Sequence, residues 1–421
     1  MYMLSGMVDT LMLSSVNDQA VGAVGTANTY IGIFIIMFSV ISSGMVAVMT
    51  QNIGAGRPGV AYQARQLGLA FNAVLGVIMS LFLSLGAGTI LSGVGVADAL
   101  MQPAKTYLQI VGGFCILNAL IPICSSYLRA FGFSKEPLYA SIIGNVINFC
   151  LNAFFLFVLH KGVAGVATAT VISRIINLVI VVLLGAVLVK AKQHPERESN
   201  RAVMGQIIRI GLPSACETAI YNVSMTLVIR FLNQMDAQGL NVTARSYTMQ
   251  ITNFSYCVGA ALAQANAIMT GWHIGAKEYD ACDRGTKKAA VIGVIVAVIL
   301  ETVFTLCSGW IMQLFSKDPQ MVSLVGKLLA IDIVLEIGRV TNLVYGQALK
   351  TSGDAVFPVV MGACFMILCS VGGTYLFGIR LGLLAVGAYI GMTGDECVRA
   401  VGMYLRWKSG KWKEKGLVKS R

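Results

Sequence analysis

Long apolar runs separated by short polar or glycine-containing segments dominate the pattern of the chain. The most apolar runs are Ile31–Met49, Ala140–Leu159, Val166–Val189, Ala289–Leu306 and Phe357–Phe377. Each approaches or exceeds the ~20 residues that a helix needs to cross a bilayer. None shows the strict polar and apolar alternation that is typical of a transmembrane β-strand. The pattern predicts an all-α membrane protein with about twelve transmembrane helices, near residues 1–14 (partial), 27–50, 65–88, 106–128, 138–159, 165–190, 206–230, 245–270, 287–312, 322–348, 356–378 and 383–406.

The composition supports lipid as the solvent of this chain. Of its 421 residues, 56% are hydrophobic and only 12% are charged, whereas soluble domains carry about 25% charged residues. The ten cysteines form no CxxC pair and the three histidines are scattered. The sequence therefore predicts neither a disulfide framework nor a metal site.

An internal repeat occurs at a constant offset of 221 residues. The segment Ile53–Ala55 recurs as Ile274–Ala276, and the segment Leu128–Gly132 is matched by Leu349–Gly353. Two motifs about 75 residues apart keep the same offset, so the two halves of the chain are interpreted as copies of one unit. Internal repeats of this kind are typical of secondary transporters.

The repeat divides the chain into two six-helix lobes. We predict an amino-terminal lobe at residues 1–190, a cytoplasmic linker at 191–204, a carboxy-terminal lobe at 205–406 and a basic cytoplasmic tail at 407–421. Six helices per lobe give both lobes the same orientation, as in other parallel repeats. The offset places the counterpart of Pro213 before Met1. We therefore expect the first helix to lack roughly its first half.

The net charge of +12 predicts the orientation in the membrane. Of the 31 lysines and arginines, 21 lie in or within a few residues of loops 2–3, 4–5, 6–7, 8–9 and 10–11 and the tail, and 6 lie in or next to the opposite loops. Basic residues accumulate on the cytoplasmic side of membrane proteins and lie next to anionic lipid there. The distribution predicts that both termini are cytoplasmic, and it argues against a nucleic-acid partner.

Ionisable and polar residues inside the predicted helices are candidates for function, because a charge there costs about 2.5–3.5 kcal/mol on insertion scales. Asp9 lies among apolar neighbours and is a candidate proton or cation site, with backbone capping as the alternative. Asn148 and Asn152 are four residues apart and share a helix face. Together with Asn118 and Thr170, they either coordinate a cation or hydrogen-bond neighbouring helices, and the second role is the more common one.

The second lobe contains a polar stripe of Asp332, Glu336 and Arg339 on one predicted helix. Glu336 and Arg339 are close enough to pair. Two interpretations are open, a structural ion pair or a role in lining a cavity. Glu217, on the first helix of this lobe, is a candidate for the same cavity.

Three further charged residues lie inside predicted helices. Asp395 and Arg399 are four residues apart and are interpreted as a structural pair, and Glu301 has no assigned role. The chain has no phosphate-binding G-x-x-x-x-G-K-[ST] loop. Because the sequence shows no set of catalytic residues and no cofactor motif, it argues against an enzyme and against ATP as the energy source.

Several motifs occur in the order found in the multidrug and toxic compound extrusion (MATE) family, which the chain resembles over almost its whole length. Val8–Thr10 resembles the family's first-helix Asp motif, and Gln51–Gly56 resembles its loop 2–3 signature. Leu128–Gly132 is similar to the loop 4–5 signature, and Gly162–Thr170 is similar to the start of the sixth helix. The ending Asp395–Trp412 resembles one bacterial branch.

The resemblance implies a V-shaped twelve-helix antiporter in which Asp9 takes part in ion coupling. It implies a cation site at Asn148, Asn152 and Thr170, with Asn118 as a further ligand by approximate placement. Family members usually have Asp where this chain has Asn152, which argues against Na⁺ binding in this lobe. In the second lobe, Glu217, Glu336 and Arg339 resemble motifs of an uncharacterised branch.

The expected function is export of small organic, often cationic and amphipathic compounds by alternating access, in exchange for H⁺ or Na⁺. H⁺ is the favoured ion, because Asp9 is the only carboxylate predicted within the first lobe's helices. We expect a monomer in the bacterial cytoplasmic membrane, in contact with lipid and with no cofactor besides the coupling ion. The alternatives are a flippase for lipid-linked precursors and, more weakly, a membrane-embedded enzyme.

Overall fold

The protein is helical throughout the part of the chain that the structure describes. This computed structural model describes residues 12–13, 18–93, 96, 98–190, 196–236, 239–313, 315–316 and 318–418. No strand occurs in these ranges. Apolar residues of this density form helices in lipid because a helix satisfies every backbone hydrogen bond within its own segment.

The helices of the first half are consecutive and joined by short connections. They are α1 (Asp18–Gly54), α2 (Pro58–Leu85), α3 (Ala87–Gly93), α4 (Asp98–Gly113), α5 (Ile116–Ala130), α6 (Lys135–Ala153), continued by a π-helix at Phe154–Val158, and α7 (Gly162–Leu188). Helices α4 and α5 together correspond to one predicted helix, which is bent by 43°. The bend falls just after Gly112 and Gly113, and glycine is one of the residues at which helices kink.

The second half repeats this order. Its helices are α8 (Asn200–Met235), α9 (Leu240–Gly275), α10 (Tyr279–Leu306), α11 (Ser308–Met312), α12 (Pro319–Ser352), α13 (Val356–Phe365), continued by π-helices at Met366–Val371 and Thr374–Arg380, and α14 (Leu384–Lys408), followed by a short 3₁₀ helix at Lys411–Glu414.

The predicted all-α membrane architecture is confirmed. The predicted first helix lies outside the described residues, apart from Met12 and Leu13, and each other predicted segment corresponds to a helix. In the described part of the chain, six helices are long and apolar enough to cross a membrane, and the bent pair α4–α5 makes up to seven. Several long helices of the second half are less apolar than these six, because they contain buried polar and charged side chains. Examples are Arg245 in α9 and Asp332 in α12.

The chain clusters into two compact units. One unit combines Arg57–Gly211 with the chain up to Met49. The other combines Thr50–Gly56 with the chain from Leu212 onward. Helix α1 therefore contributes its last turn to the second unit, and α8 contributes its first turns to the first unit.

Glycines set two close helix crossings, one in each unit. In the first unit, a Cβ on Gly44 would lie 1.9 Å from the carbonyl oxygen of Ile207, and a Cβ on Gly211 would lie 1.8 Å from that of Val40. In the second unit, the corresponding distances are 2.0 Å from Gly54 to the Trp272 oxygen and 2.0 Å from Gly275 to the Gln51 oxygen. Helix backbones approach this closely only where no side chain intervenes. The repeated Ile-Gly-Ala motif thus marks the two partners of one crossing.

The carboxy-terminal segment folds back onto the second unit. The rings of Trp407 and Trp412 stack with centroids 4.1 Å apart, and both side chains are buried. Asp354 is buried between Arg406, at 2.7 Å, and Lys415, at 3.5 Å. The backbone N–H of Leu417 donates to the side-chain oxygen of Gln51 at 2.7 Å. These contacts fix the end of α12, which carries most of the polar residues described next.

Candidate functional site

A polar cavity of about 240 Å³ lies within the second unit. Helices α8, α9, α12 and α14 contribute its walls, together with the π-helix that contains Met366. The charged and aromatic lining residues are Glu217, Tyr221, Tyr256, Arg339, Lys350, Glu396 and Arg399.

One face of α12 forms the longest wall of this cavity. Arg339, Leu343, Gln347 and Lys350 recur at intervals of three or four residues, which places them on the same side of a helix. The run from Arg339 to Lys350 covers roughly 16 Å at the ~1.5 Å rise per residue of an α-helix. Glycine at position 346 leaves space on the same face.

Glu217 and Lys350 form an ion pair across the cavity wall. The Lys350 Nζ lies 2.6 Å from the Glu217 Oε2, and both side chains are largely buried. Glu217 and Arg339 both line this cavity. The pairing with Lys350 offsets part of the cost of placing either charge in a membrane helix.

Arg339 and Arg399 join three acidic residues in a connected network. Arg339 donates to Glu336 on its own helix, and its Nε lies 3.7 Å from the Glu396 Oε1 on α14. Arg399 forms two hydrogen bonds with Asp395, of 2.8 and 2.9 Å, and lies 2.9 Å from Glu396. Burying these charges is tolerable only because each has a partner of opposite sign.

Three carboxylates from two helices meet beside this network. One carboxylate oxygen from each of Glu301 on α10, and Asp332 and Glu336 on α12, lies within 4.8 Å of the others. All three residues are buried, with exposed fractions of 0%, 2% and 0%. Asp332 and Glu336 are not among the lining residues of the cavity, whereas Arg339, which donates to Glu336, is one of them.

The structure brings together part of the set of residues singled out in the first lobe. Asn148 and Asn152 are buried on α6, and the Asn152 Nδ2 donates to the Asn148 Oδ1 at 3.3 Å. Thr170 is buried on α7, where its hydroxyl donates to the carbonyl of Val166 at 2.9 Å. Asn118 is buried on α5. Asp9 lies outside the described residues.

Sequence reasoning missed two participants in the second unit. Glu396 follows Asp395 directly but was not connected with the stripe on α12, and it links Arg339 with Arg399. Glu301 has no role assigned from the sequence alone. The sequence feature that could have indicated one is that Glu301 is the only charged residue in the run Ala289–Leu306.

A multi-helix membrane fold with a cavity lined by charged side chains is typical of membrane transporters, and the relatives of the chain place it in that class. The chain belongs to the MatE family, whose model matches residues 1–154 and 213–376. It is 33% identical to an uncharacterized transporter, YisQ of Bacillus subtilis, over 99% of this chain and 93% of that protein. It is 22% identical to a probable multidrug resistance protein, NorM of Thermotoga maritima, over 99% and 90%.

Solved structures share the fold. A MATE crystal structure in the bent conformation matches with a TM-score of 0.89 and 18% identity, over 98% of this chain and 92% of the other. An outward-facing MATE transporter of the MOP superfamily matches with a TM-score of 0.87 and 17% identity, over 98% and 92%. The predicted resemblance to the MATE family is thus confirmed.

Proposed function

We propose that this transporter is a cation-coupled antiporter that exports small organic, often cationic and amphipathic compounds across the bacterial cytoplasmic membrane by alternating access. It works as a monomer with both termini in the cytoplasm. The observation that carries the proposal is the second-unit cavity, where charged and aromatic side chains stand next to each other. Several relatives are called probable multidrug resistance proteins, and these names support a role in export.

The charges around the cavity favour a cationic substrate. The basic residues Arg339, Lys350 and Arg399 are each paired with a carboxylate. The lining itself has two acidic and three basic residues, and with Glu336 and Asp395, which contact Arg339 and Arg399 from behind, the acidic residues number four against three. Tyr221 and Tyr256 add aromatic surface that attracts organic cations.

The ion pairs of the three basic residues weaken the leading alternative function, a flippase for lipid-linked precursors. Such a flippase would need free cationic groups to bind the phosphates of its substrate. Here Arg339, Lys350 and Arg399 already contact acidic side chains. A membrane-embedded enzyme is weaker still, because Glu217 and Glu396, the carboxylates of the lining, both contact basic side chains and neither stands free as a general base.

We propose H⁺ as the ion that drives export. The argument rests on the sequence of the first lobe, where Asp9 is the only carboxylate predicted within the helices and Asn152 stands at a position where the family usually has Asp. A desolvated Na⁺ would need several oxygen ligands and negative charge to offset its dehydration. A proton needs only one buried carboxyl group.

Reconstitution into proteoliposomes tests this proposal. An imposed pH gradient without Na⁺ should drive transport of ethidium, a fluorescent amphipathic cation. Asp9→Asn should abolish the gradient-driven transport while leaving expression intact. The exposed Asp280→Asn, the same chemical change at an exposed position on α10, should transport normally. Transport that follows only a Na⁺ gradient would show H⁺ coupling to be wrong, and unchanged transport by Asp9→Asn would remove Asp9 from the mechanism.

A further inference from the structure

A second cavity, of about 470 Å³, lies where three helices of the second unit begin. Helix α9 begins at Leu240, α12 at Pro319 and α14 at Leu384, and all three residues line this cavity. The other lining residues are Asn241, Gln320, Ser323, Leu324, Lys327 and Leu383. None of them lines the polar cavity around Arg339. The walls of the second cavity therefore combine apolar side chains with a single charge.

Hydrogen bonds hold the three helix starts in place around this cavity. The carboxylate of Asp236 accepts from the backbone N–H groups of the first two residues of α9, at 2.9 and 3.0 Å. Asp318 accepts from the N–H of Gln320 at 2.9 Å, and the side-chain oxygen of Asn241 accepts from the N–H of Ala385 at 3.1 Å. These N–H groups already have acceptors, so the recognition of a charged ligand falls to the side chains of the lining.

Lys327 is the charged residue of this lining. It is exposed, and it forms no ion pair with any residue that the structure describes. It follows Pro319 by eight residues, which places it roughly 12 Å along the helix axis from the start of α12. The sequence predicts a membrane helix at 322–348, which includes this position. A lysine there is costly unless its ammonium group extends toward the headgroups or meets a counter-ion.

Exposed aromatic side chains lie near this end of α12. Trp310 and Phe315, which precede α12, are 72% and 43% exposed. The ring of Phe315 also packs against Tyr247 of α9, with centroids 5.5 Å apart. Aromatic side chains collect at the boundary between the hydrocarbon and the headgroups of a bilayer. The second cavity therefore lies at the level of the lipid phosphates.

We propose that the second cavity binds a phospholipid, with Lys327 as the counter-ion of the lipid phosphate. Gln320, Ser323 and Lys327 recur at intervals of three and four residues, which places them on one face of α12. The side chains of Gln320 and Ser323 form no hydrogen bond with the described residues, so both can donate to phosphate oxygens. The leucines of the lining contact the glycerol backbone and the first methylene groups of the acyl chains.

Both parts of the lining are needed to explain a phospholipid. Inorganic phosphate would pair with Lys327 but would leave the leucines without a partner. Diacylglycerol would cover the leucines but would leave the lysine without a counter-ion. The site takes no part in ion coupling or in the binding of the exported compound, so its failure would leave the proposed antiport untouched.

Thermal unfolding of the delipidated protein in detergent tests the site without any transport. Unfolding midpoints are measured with phosphatidylglycerol, with diacylglycerol of the same acyl chains and with inorganic phosphate. Phosphatidylglycerol should raise the midpoint by several degrees, with saturation, because it binds the folded state. Diacylglycerol and inorganic phosphate should not.

A matched pair of lysine variants locates the effect. Lys327→Gln should raise the half-saturating concentration of phosphatidylglycerol about tenfold, because a charge-assisted hydrogen bond is lost. Lys288→Gln removes the same charge from an exposed position on α10, outside the cavity, and should leave the half-saturation unchanged. Equal values for the two variants would overturn the site.

A third variant keeps the charge and reduces the space. Ser323→Phe narrows the cavity and should also raise the half-saturating concentration severalfold. An unchanged value would overturn the site, even if Lys327→Gln does not fold. A midpoint of the wild type that phosphatidylglycerol does not raise would overturn it as well. An equal rise with inorganic phosphate would show a site for a free anion, and an equal rise with diacylglycerol would show a purely apolar groove, and either result would contradict the proposal.

Discussion

At the scale of single residues, Asp354 holds the carboxy-terminal segment in place. It is 2% exposed and lies between Arg406 and Lys415, and it directly follows Gly353, whose positive φ of 99° ends α12. A Cβ on Gly353 would lie 2.3 Å from the carbonyl oxygen of Lys415. The tail and the α12–α13 loop therefore fit together only with glycine and a carboxylate at these two positions.

We expect Asp354→Asn to destabilise the protein by about 1–3 kcal/mol, because the acceptor of the buried hydrogen bond from Arg406 loses its charge and Arg406 and Lys415 lose this acidic partner. The midpoint of thermal unfolding, followed by the fluorescence of the stacked Trp407 and Trp412, measures the change. Asp280→Asn is the control and should unfold like the wild type, since Asp280 is exposed. An Asp354 variant as stable as this control would show that the tail does not depend on the carboxylate.

Residue positions could be predicted from the sequence where the contact is local. The pairing of Glu336 with Arg339 follows from their spacing on one helix, and the structure shows this contact. Glu301 joins Asp332 across two helices, and Glu396 joins Arg339 across another pair. Such contacts depend on the packing of helices far apart in sequence, which periodicity alone does not specify.

At the scale of elements, the end of α1 and the end of α9 cross with their backbones in contact. The crossing is reciprocal, with Gly54 against Trp272 and Gly275 against Gln51. The sequence repeat identifies the two glycines as copies of one motif. The structure shows that each glycine is the last residue of its helix and that their main role is close approach. The sequence shows that the two motifs are copies at a fixed offset. It does not show that the two copies contact each other.

We expect Gly275→Ala to destabilise the protein by about 1–3 kcal/mol or more, because its methyl group would lie 2.0 Å from a backbone oxygen that cannot move independently. Gly285→Ala on α10 is the matched control, since no atom lies within 4 Å of its Cβ position. This control should be stabilised by about 0.5–1 kcal/mol, the usual gain of alanine over glycine within a helix. Thermal unfolding in detergent compares the two. A Gly275 variant that behaves like the control would contradict the crossing.

The helix boundaries illustrate another limit of the sequence pattern. Helix α8 was predicted at 206–230 and extends from Asn200 to Met235, and α9 was predicted at 245–270 and extends from Leu240 to Gly275. Hydropathy detects the part of a helix that lipid surrounds. The polar turns at each end continue the helix because their backbone hydrogen bonds do not depend on lipid, and only a cap or a glycine ends them.

At the scale of the whole molecule, a glutamine side chain holds the segment that follows each half. In the linker, the backbone N–H of Glu198 donates to the side-chain oxygen of Gln63 at 3.0 Å. In the tail, the N–H of Leu417 donates to the side-chain oxygen of Gln51 at 2.7 Å. The two glutamines are not counterparts, because the offset of 221 residues pairs Gln63 with Arg284. The repeat in the sequence therefore predicts neither contact.

Membrane orientation is the remaining property that the whole chain determines. The 21-to-6 distribution of basic residues between the two sets of loops predicts that both termini are cytoplasmic. The segment Asn233–Thr243, which includes the end of α8 and the start of α9, should lie on the opposite side, because a single predicted membrane-spanning helix separates it from the linker. Reporter fusions at Arg421 and within Asn233–Thr243 should therefore give opposite signals, with cytoplasmic activity at Arg421. The linker at 196–199 provides a control that should agree with Arg421, since six helices separate them. A periplasmic signal from the carboxy terminus would show the orientation to be wrong, and equal signals from Arg421 and the α8–α9 connection would contradict the helix count itself.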